Sequence, residues 1–324
     1  MKRFILAASL LAAIPAYSQI VKIDGSSTVF PVTEAVAEDF QKAKKNQIKV
    51  TVGISGTGGG FKKFCRNEID ISGASRPILQ KEMGDCKAAG VEYFELPVAF
   101  DALTVVINPK NAFIKQLTVA EMKKMWEPGA QGKVTTWNQV NPAWPAQPLK
   151  LFGPGADSGT FDYFTEAVVG KSKSSRGDFT ASEDDNVLVQ GVSRDVNGLG
   201  YFGFAYYVEN KDKLKAVPIV NEKGQPVLPS LEAVIAGTYS PLARPIFIYV
   251  NAKSLAKPEV KEFVQYYMTH GAKLAKEVKY VPLPDSAYKT AWEHVNQGKK
   301  GTVFGGIAEV GITIEELLRR EAKL

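Results

Sequence analysis

Short apolar segments alternate with amphipathic segments of helical length through most of the chain. Apolar residues recur every three or four positions from Thr33 to Ala43, so that Val36, Ala37 and Phe40 share one helix face. Ile48 to Ile54 alternates apolar and polar residues, which predicts a strand. The same patterns predict strands at 21–23, 69–71, 93–96, 102–107 and 244–251 and helices at 61–66, 261–274 and 314–324. Strands and helices in this order are typical of mainly parallel sheets flanked by helices, so the predicted fold class is α/β.

The strand pattern also predicts two lobes. Asn108 to Asn111 is a turn-rich break after one strand, and Arg244 to Asn251 resembles Ala102 to Asn108 in length and in its closing asparagine. Two such strands are expected where a chain crosses twice between lobes. The length of 324 residues suits about two domains. We therefore predict one lobe from 19–107 and 246–324, and a second from 108–245.

The N-terminal 18 residues have the pattern of a secretory signal peptide. Lys2 and Arg3 precede the apolar run from Phe4 to Ile14, and the small residues around Ala16 and Ser18 form a cleavage site. The apolar run is shorter than the roughly 20 residues that a membrane span needs. The sequence therefore predicts an exported protein, which an outer membrane would retain in the periplasm.

Composition narrows the classes of function. The net charge of +6 is spread along the chain without a basic cluster interleaved with aromatic residues, which argues against nucleic-acid binding. Cys65 and Cys86 are the two cysteines, and export favours a disulfide between them over two free thiols. Neither His270 nor His294 is at metal-ligand spacing with a cysteine, so no metal site or other cofactor is predicted.

Small hydroxyl and glycine residues gather at four predicted strand ends: Ser26 to Phe30, Ser55 to Gly60, Ser72 to Arg76, and Asp157 to Phe161. The first N–H groups of a helix lack intrahelical partners and carry partial positive charge, so they can hold an anion. Helix capping alone explains any single one of these segments. Four of them at strand ends favour a ligand site, because ligands of open α/β sheets bind there.

Five segments, taken in order, resemble a known family. They are DGSSTVFP (24–31), SGTGGGFKKF (55–64), DISGASRP (70–77), GPGADSGTF (153–161) and GYFGFAYY (200–207). Together they are similar to the periplasmic phosphate-binding proteins, the substrate-binding components of phosphate ABC importers. The resemblance implies a type II periplasmic-binding fold, a monomer that closes on inorganic phosphate without catalysis, and delivery of phosphate to membrane permease subunits.

The resemblance also implies which residues hold the ligand. Ser27, Thr28, Val29 and also Phe30 would donate from the first lobe, Thr57 or its rival Ser55 from the glycine-rich segment, and Ser158, Gly159 and Thr160 from the second lobe.

Two positions depart from the best-known branch of that family. An acid that accepts the phosphate proton is replaced by Arg76, and an arginine before the second-lobe serine is replaced by Pro154. We therefore expect Arg76 to supply the guanidinium, with Asp157 as first candidate for the acceptor and Asp24 as second. Phosphate carries a proton near neutral pH and sulfate does not, so this carboxylate would set selectivity.

The acidic stretch from Ser182 to Asn186 is another helix start. It is explained by capping, or else Ser182 or Asp184 reaches the pocket or braces Arg76. Alternative functions are a binding protein for another oxyanion such as sulfate, or an exported phosphatase. The chain lacks a Gly-x-Ser-x-Gly nucleophile motif and a metal-ligand cluster in its sequence, which favours a non-enzymatic binding protein.

Overall fold

The computed structural model describes residues 19–307 and 309–324, so the predicted signal peptide lies outside the described residues. The strands are Gln19–Gly25 (β1), Ile48–Val52 (β2), Ile71–Ala74 (β3), Tyr93–Ile107 (β4), Leu117–Thr118 (β5), Lys150–Pro154 (β6), Thr180–Ser182 (β7), Gly198–Gly203 (β8), Lys215–Ala216 (β9), Ile219–Val220 (β10), Pro226–Val227 (β11) and Ala243–Asn251 (β12). The α-helices are Phe30–Ala43 (α1), Gly56–Phe64 (α2), Gln80–Ala88 (α3), Val119–Trp126 (α4), Trp137–Val140 (α5), Gly159–Val169 (α6), Asp185–Arg194 (α7), Phe204–Glu209 (α8), Leu231–Ile235 (α9), Pro258–Glu277 (α10), Asp285–Gln297 (α11) and Ile314–Glu321 (α12). Short 3₁₀ helices occupy Pro128–Ala130 and Ser254–Ala256.

The described strands form a nine-stranded sheet in the order β2-β1-β3-β12-β4-β8-β6-β7, with β9 paired to β4, and a small sheet in the order β11-β10-β5. Strands β1, β2 and β3 are parallel, as are β6, β7 and β8, and β12 is antiparallel to its neighbours β3 and β4. Helices connect the parallel strands, which confirms the α/β prediction.

Strand β4 joins the two halves of the large sheet. It pairs with β12 as far as Ala102 and with β8 from Leu103 onward. We call the part from β2 to β12 the first half and the part from β8 to β7 the second half. The lobe boundaries at 107 and 245 stay a prediction. The point at which β4 changes its partner strand lies a few residues before the boundary at 107.

The predicted strands at 93–96 and 102–107 are one continuous strand, β4. The sequence suggested a break because Pro97 and Asp101 interrupt the apolar run. Pro97 is accommodated because the register shifts opposite it, between Ile246 and Phe247. Asp101 is accommodated because Arg244 on β12 pairs with it.

Helix α2 includes the glycines that the sequence assigned to a loop. It begins at Gly56, whereas the predicted helix began at Phe61. The glycines permit close packing: a Cβ at Gly60 would lie 2.6 Å from Ser72 Oγ and 2.7 Å from Gly25 Cα. Gly56 also has a φ of +74°, a backbone conformation that favours glycine. The glycine run therefore lets a helix begin directly against β1 and β3.

The remaining predictions concern the core and the cysteines. Phe40 of α1 packs edge-on against Phe263 of α10, with ring centroids 5.4 Å apart, in the core predicted from the helical pattern. A disulfide joins Cys65, at the end of α2, to Cys86 in α3, which confirms the predicted pairing. Among residues 19–307 and 309–324, no helix has the length and apolar character to cross a membrane.

Candidate functional site

Three helix N-termini converge where the two halves meet. Helices α1 and α2 belong to the first half, and α6 to the second. The hydroxyl of Thr28, just before α1, lies 2.9 Å from the hydroxyl of Thr160 in the first turn of α6. The convergence directs the positive ends of three helix dipoles towards one point.

Hydroxyl side chains line this point. Thr57 Oγ1, in the first turn of α2, is 3.2 Å from Ser75 Oγ at the end of β3, and Ser26 Oγ donates to Ser75 Oγ at 2.9 Å. We call Ser26, Thr28, Thr57, Ser75 and Thr160 the hydroxyl cluster. All five residues are buried. Because a hydroxyl can donate or accept, such a cluster suits an oxyanion whose protonation varies.

Gly159 brings α6 onto the cluster from the second half. A Cβ at this position would lie 2.6 Å from Ser75 Oγ and still nearer to Thr57 Oγ1. Ser158 is the N-cap of α6, and its Oγ accepts from Thr160 N at 3.1 Å. The capping interpretation therefore holds for Ser158, which also lies beside the cluster.

Two tyrosines donate hydrogen bonds to backbone carbonyls of the loop before α1. Tyr206 donates to the carbonyl of Ser27 at 3.0 Å, and Tyr280 donates to the carbonyl of Thr28 at 2.6 Å. Val29 is the N-cap residue of α1, and its N–H donates to the carbonyl of Ser26 at 3.1 Å. The structure thus brings Ser27, Thr28 and Val29 to the predicted junction.

Arg244 supplies a guanidinium at the cluster. Its Nη2 donates to Thr160 Oγ1 at 2.8 Å and to Thr28 Oγ1 at 3.3 Å, so it contacts both halves. Asp101 holds it, accepting from Nη2 at 3.1 Å, and both side chains are fully buried. Burial raises the pKa of the Asp101 carboxyl, and the charge of Arg244 opposes that rise. The sequence analysis missed this pair.

Arg76, the predicted guanidinium, is bonded elsewhere. Its Nε donates to Asp162 Oδ2 at 2.7 Å, and its two Nη atoms donate to the carboxylate of Glu82 at 2.8 and 2.7 Å. Burial alone would lower the pKa of Arg76, but Glu82 and Asp162 raise it above its ordinary value. The side chain follows Ser75 in the chain, yet its donors face two carboxylates rather than the hydroxyl cluster.

The two predicted acceptors, Asp157 and Asp24, also have other partners. Lys62 Nζ lies 2.8 Å from Asp157 Oδ1, and the Asp157 side chain is 41% exposed at the rim where the halves meet. Asp24 accepts from Ser55 Oγ and from Lys63 Nζ, the latter at 2.6 Å. Ser55 is thereby bonded away from the hydroxyl cluster, whereas its rival Thr57 lies within it.

The acidic stretch at α7 contributes a buried carboxyl that the sequence did not single out. Asp184 caps the helix, accepting from Asn186 N at 2.9 Å, as the capping interpretation predicts. Asp185 is fully buried, and its oxygens have no hydrogen-bond partner within the described residues. Burial, and next the charge of Asp101, raises its pKa to about 7.

The missed residues had a weak signal in the sequence. Arg244 and Asp101 are charged positions in two otherwise apolar strand patterns, and two such opposite charges indicate a buried pair. The pattern does not say that these strands are neighbours, which is what brings the pair to the cluster.

Comparison with known proteins identifies the relatives of this chain. Residues 12–270 match the family model described as a PBP superfamily domain. Protein SphX of Synechococcus elongatus is 55% identical over 93% of this chain and 89% of its own length. The phosphate-binding protein PstS of Staphylococcus saprophyticus is 39% identical over 83% of this chain and 82% of its own length.

Solved structures agree with these relatives. A possible phosphate-binding protein from Planctomyces limnophilus is 50% identical with a TM-score of 0.63, over 86% of this chain and 98% of that one. A putative phosphate ABC transporter substrate-binding protein from Clostridium perfringens, solved with bound phosphate, is 25% identical with a TM-score of 0.69, over 82% of this chain and 100% of that one. The chain belongs to the PBP superfamily and, within it, to the family of PstS and SphX proteins.

Proposed function

We propose that this chain binds inorganic phosphate at the hydroxyl cluster and delivers it to the permease of an ABC importer. The observation that carries the proposal is the convergence of five buried hydroxyls, three helix N-termini and Arg244 between the two halves. The names of the relatives, which include phosphate-binding proteins and a structure with bound phosphate, support the same ligand.

The chemistry fits a tetrahedral oxyanion. Backbone N–H groups at the starts of α2 and α6 and the hydroxyls of Thr28, Thr57 and Thr160 supply neutral donors, and Arg244 supplies one full charge. A bound anion would replace the contact between the Thr28 and Thr160 hydroxyls with contacts to its own oxygens. Gly159 would contribute its backbone N–H at the start of α6, beside the N-cap Ser158, whose own N–H donates to the carbonyl of Gly155 at 3.0 Å.

Asp101 is the carboxylate that we propose for the phosphate proton. It lies against Arg244, which contacts Thr28 and Thr160 at the cluster. Asp157 and Asp24, in contrast, bind lysines near the rim. A carboxylate facing the ligand accepts a hydrogen bond from protonated phosphate and repels sulfate. Selectivity would then depend on a buried acid rather than on the exposed Asp157.

Calorimetric titration of the exported chain with phosphate and with sulfate tests the binding function, beside a phosphatase assay. We expect saturable phosphate binding, weaker sulfate binding and no turnover. Turnover without tight binding would contradict the proposal and favour an exported phosphatase. Equal affinity for both anions would favour a general oxyanion-binding protein.

The proton acceptor is tested by Asp101→Asn, with Asp185→Asn as the matched control at the second buried acid near the site. Asp101→Asn should weaken binding of both anions, because it leaves Arg244 without its charged partner, and should also narrow the phosphate-over-sulfate ratio. A ratio that is unchanged in Asp101→Asn and narrowed in Asp185→Asn would assign the acceptor to Asp185.

Delivery to a permease implies an exported chain, periplasmic where an outer membrane exists, and the family resemblance implies a monomer. Size-exclusion chromatography with light scattering of protein secreted from its native host checks both features. A dimer, or retention in the cytoplasm, would contradict them.

A further inference from the structure

We propose that Arg76 and Asp162 form an ion pair that locks α6 over the bound anion, so that both residues position the site without contacting the ligand. The proposal rests on the phosphate-binding function proposed above. It gives Arg76 a role different from the one that its place in the sequence suggests.

The contacts of Arg76 leave little of its guanidinium for a ligand. An arginine side chain has five N–H donors. In Arg76, four of them donate within the protein: one to Asp162, two to Glu82 and one to the carbonyl of Pro77. The side chains of Arg76 and Asp162 both have an exposure of 0%.

The pair joins the two halves, whereas the bond to Glu82 does not. Arg76 follows β3 and Glu82 lies in α3, so both belong to the first half. Asp162 lies in the first turn of α6 in the second half, three residues after Gly159 and two after Thr160. Glu82 can therefore hold Arg76 in place whether or not the halves are closed, while the contact with Asp162 requires closure.

Because α6 is a continuous helix, the position of Asp162 determines the position of its first turn. The ion pair at 2.7 Å fixes that turn against Thr57 and Ser75, where Gly159 makes its closest approach. A bound anion would be held by the same turn. The pair is thus linked mechanically to the ligand without touching it.

Energetics indicate when the pair acts. Burying two charges is costly, and their attraction roughly offsets the cost when the geometry is good, whereas one unpaired buried charge costs about 3–5 kcal/mol. If the halves closed with α6 displaced from this position, Asp162 would be buried without Arg76. Its remaining cationic neighbour would be Lys173, whose Nζ is 3.6 Å from Asp162 Oδ1. The pair forms after the anion has entered, so its loss should appear chiefly in the rate of dissociation.

The test measures phosphate association and dissociation by stopped flow for the wild type, Asp162→Asn, Arg76→Gln and the double variant. Arg66→Gln is the matched control, because Arg66 has the same charge, also lies in the first half and pairs with exposed Glu68 there. Thermal unfolding without ligand checks that each variant folds.

We expect Asp162→Asn to accelerate dissociation about 10-fold and to change association less than about 3-fold. Arg76→Gln should have the same effect. The dissociation rate of the double variant should exceed that of either single variant by no more than about 3-fold, because both substitutions remove the same ion pair. Arg66→Gln should match the wild type.

The variants would behave differently if Arg76 contacted the phosphate itself. If Arg76 contacts phosphate, Arg76→Gln will weaken binding by the same factor whether residue 162 is Asp or Asn, and Asp162→Asn alone will leave dissociation unchanged. Either result overturns the proposal, and the second still does so if Arg76→Gln fails to fold. A wild type that binds no phosphate would instead overturn the proposed function.

Discussion

At the scale of single residues, Gly159 offers the sharpest test of the site. A methyl group there would collide with the hydroxyls of Thr57 and Ser75. Its backbone is helical, so alanine itself is not strained in the second half. We expect Gly159→Ala to weaken phosphate binding more than 10-fold in calorimetric titration, about 1.4 kcal/mol or more.

The control for this substitution is Gly84→Ala. Gly84 lies within α3, and a Cβ there meets nothing within 4 Å. That variant should bind phosphate like the wild type and be stabilised by about 0.5–1 kcal/mol, since alanine replaces glycine in a helix. Equal affinity in Gly159→Ala would mean that the first turn of α6 does not close on the ligand.

The residues that could be predicted from the sequence are those whose role depends on a local pattern. Thr28, Thr57 and Thr160 lie at helix starts, and helix starts are visible in one sequence. Arg76 was also visible, as a lone charge after a small-residue strand. Its partner Asp162 is far along the chain, and no local pattern says whether a guanidinium faces a ligand or a carboxylate.

Helices and strands were predicted well where the period of apolar residues determines them, and poorly where packing against neighbouring elements determines them. Helices α1 and α10 follow apolar stripes that pack together, so their existence could be predicted. The start of α2 was missed because glycine disfavours helices in isolation. Here contact with β1 and β3 excludes larger side chains, and that constraint comes from tertiary packing.

The C-terminal helix α12 carries a prediction about pH. Glu321 is buried beside His294, with Nδ1 of the histidine 3.6 Å from its Oε2, and both residues are about 5% exposed. Burial, and next the charge of Glu95, raises the pKa of Glu321 to about 8. The folded state therefore holds this proton at pH values where the unfolded chain has lost it, and stability falls as pH rises from about 4.5 to about 8.

Glu321→Gln replaces the ionisable carboxyl with a neutral amide, so the variant should lack this loss of stability. Between pH 7 and pH 9, we expect the decline in unfolding free energy to be about 1 kcal/mol smaller in the variant than in the wild type, measured by denaturant titration. Above pH 7, His294 is mostly neutral in the unfolded chain, and burial lowers its pKa in the folded protein, so it contributes little to the comparison. Exposed Glu315→Gln in the same helix should leave the decline unchanged. An equal decline in Glu321→Gln would show that Glu321 is ionised in the folded protein.

At the scale of the whole molecule, the contacts between the halves at the site are polar. They include the pairs Thr28 with Thr160, Arg76 with Asp162 and Lys62 with Asp157. Separating them exposes groups that water can bond, rather than a hydrophobic core, so opening costs little free energy. Strand β4 changes partners after Ala102, and β12 begins opposite it at Ala243, so these two strands are the connections on which the halves could turn.

These features predict that phosphate compacts the molecule. Small-angle X-ray scattering should give a smaller radius of gyration with saturating phosphate than without it, because the anion bridges donors from both halves. Gly159→Ala is the discriminating variant, because its methyl group should keep α6 away from Thr57 and Ser75. Even at phosphate concentrations that saturate this variant, its radius of gyration should stay near the ligand-free value. Gly84→Ala should compact like the wild type. A wild-type radius that does not respond to bound phosphate would mean that the closed arrangement exists before the ligand arrives, and the polar contacts between the halves would then be strong enough to hold it without an anion.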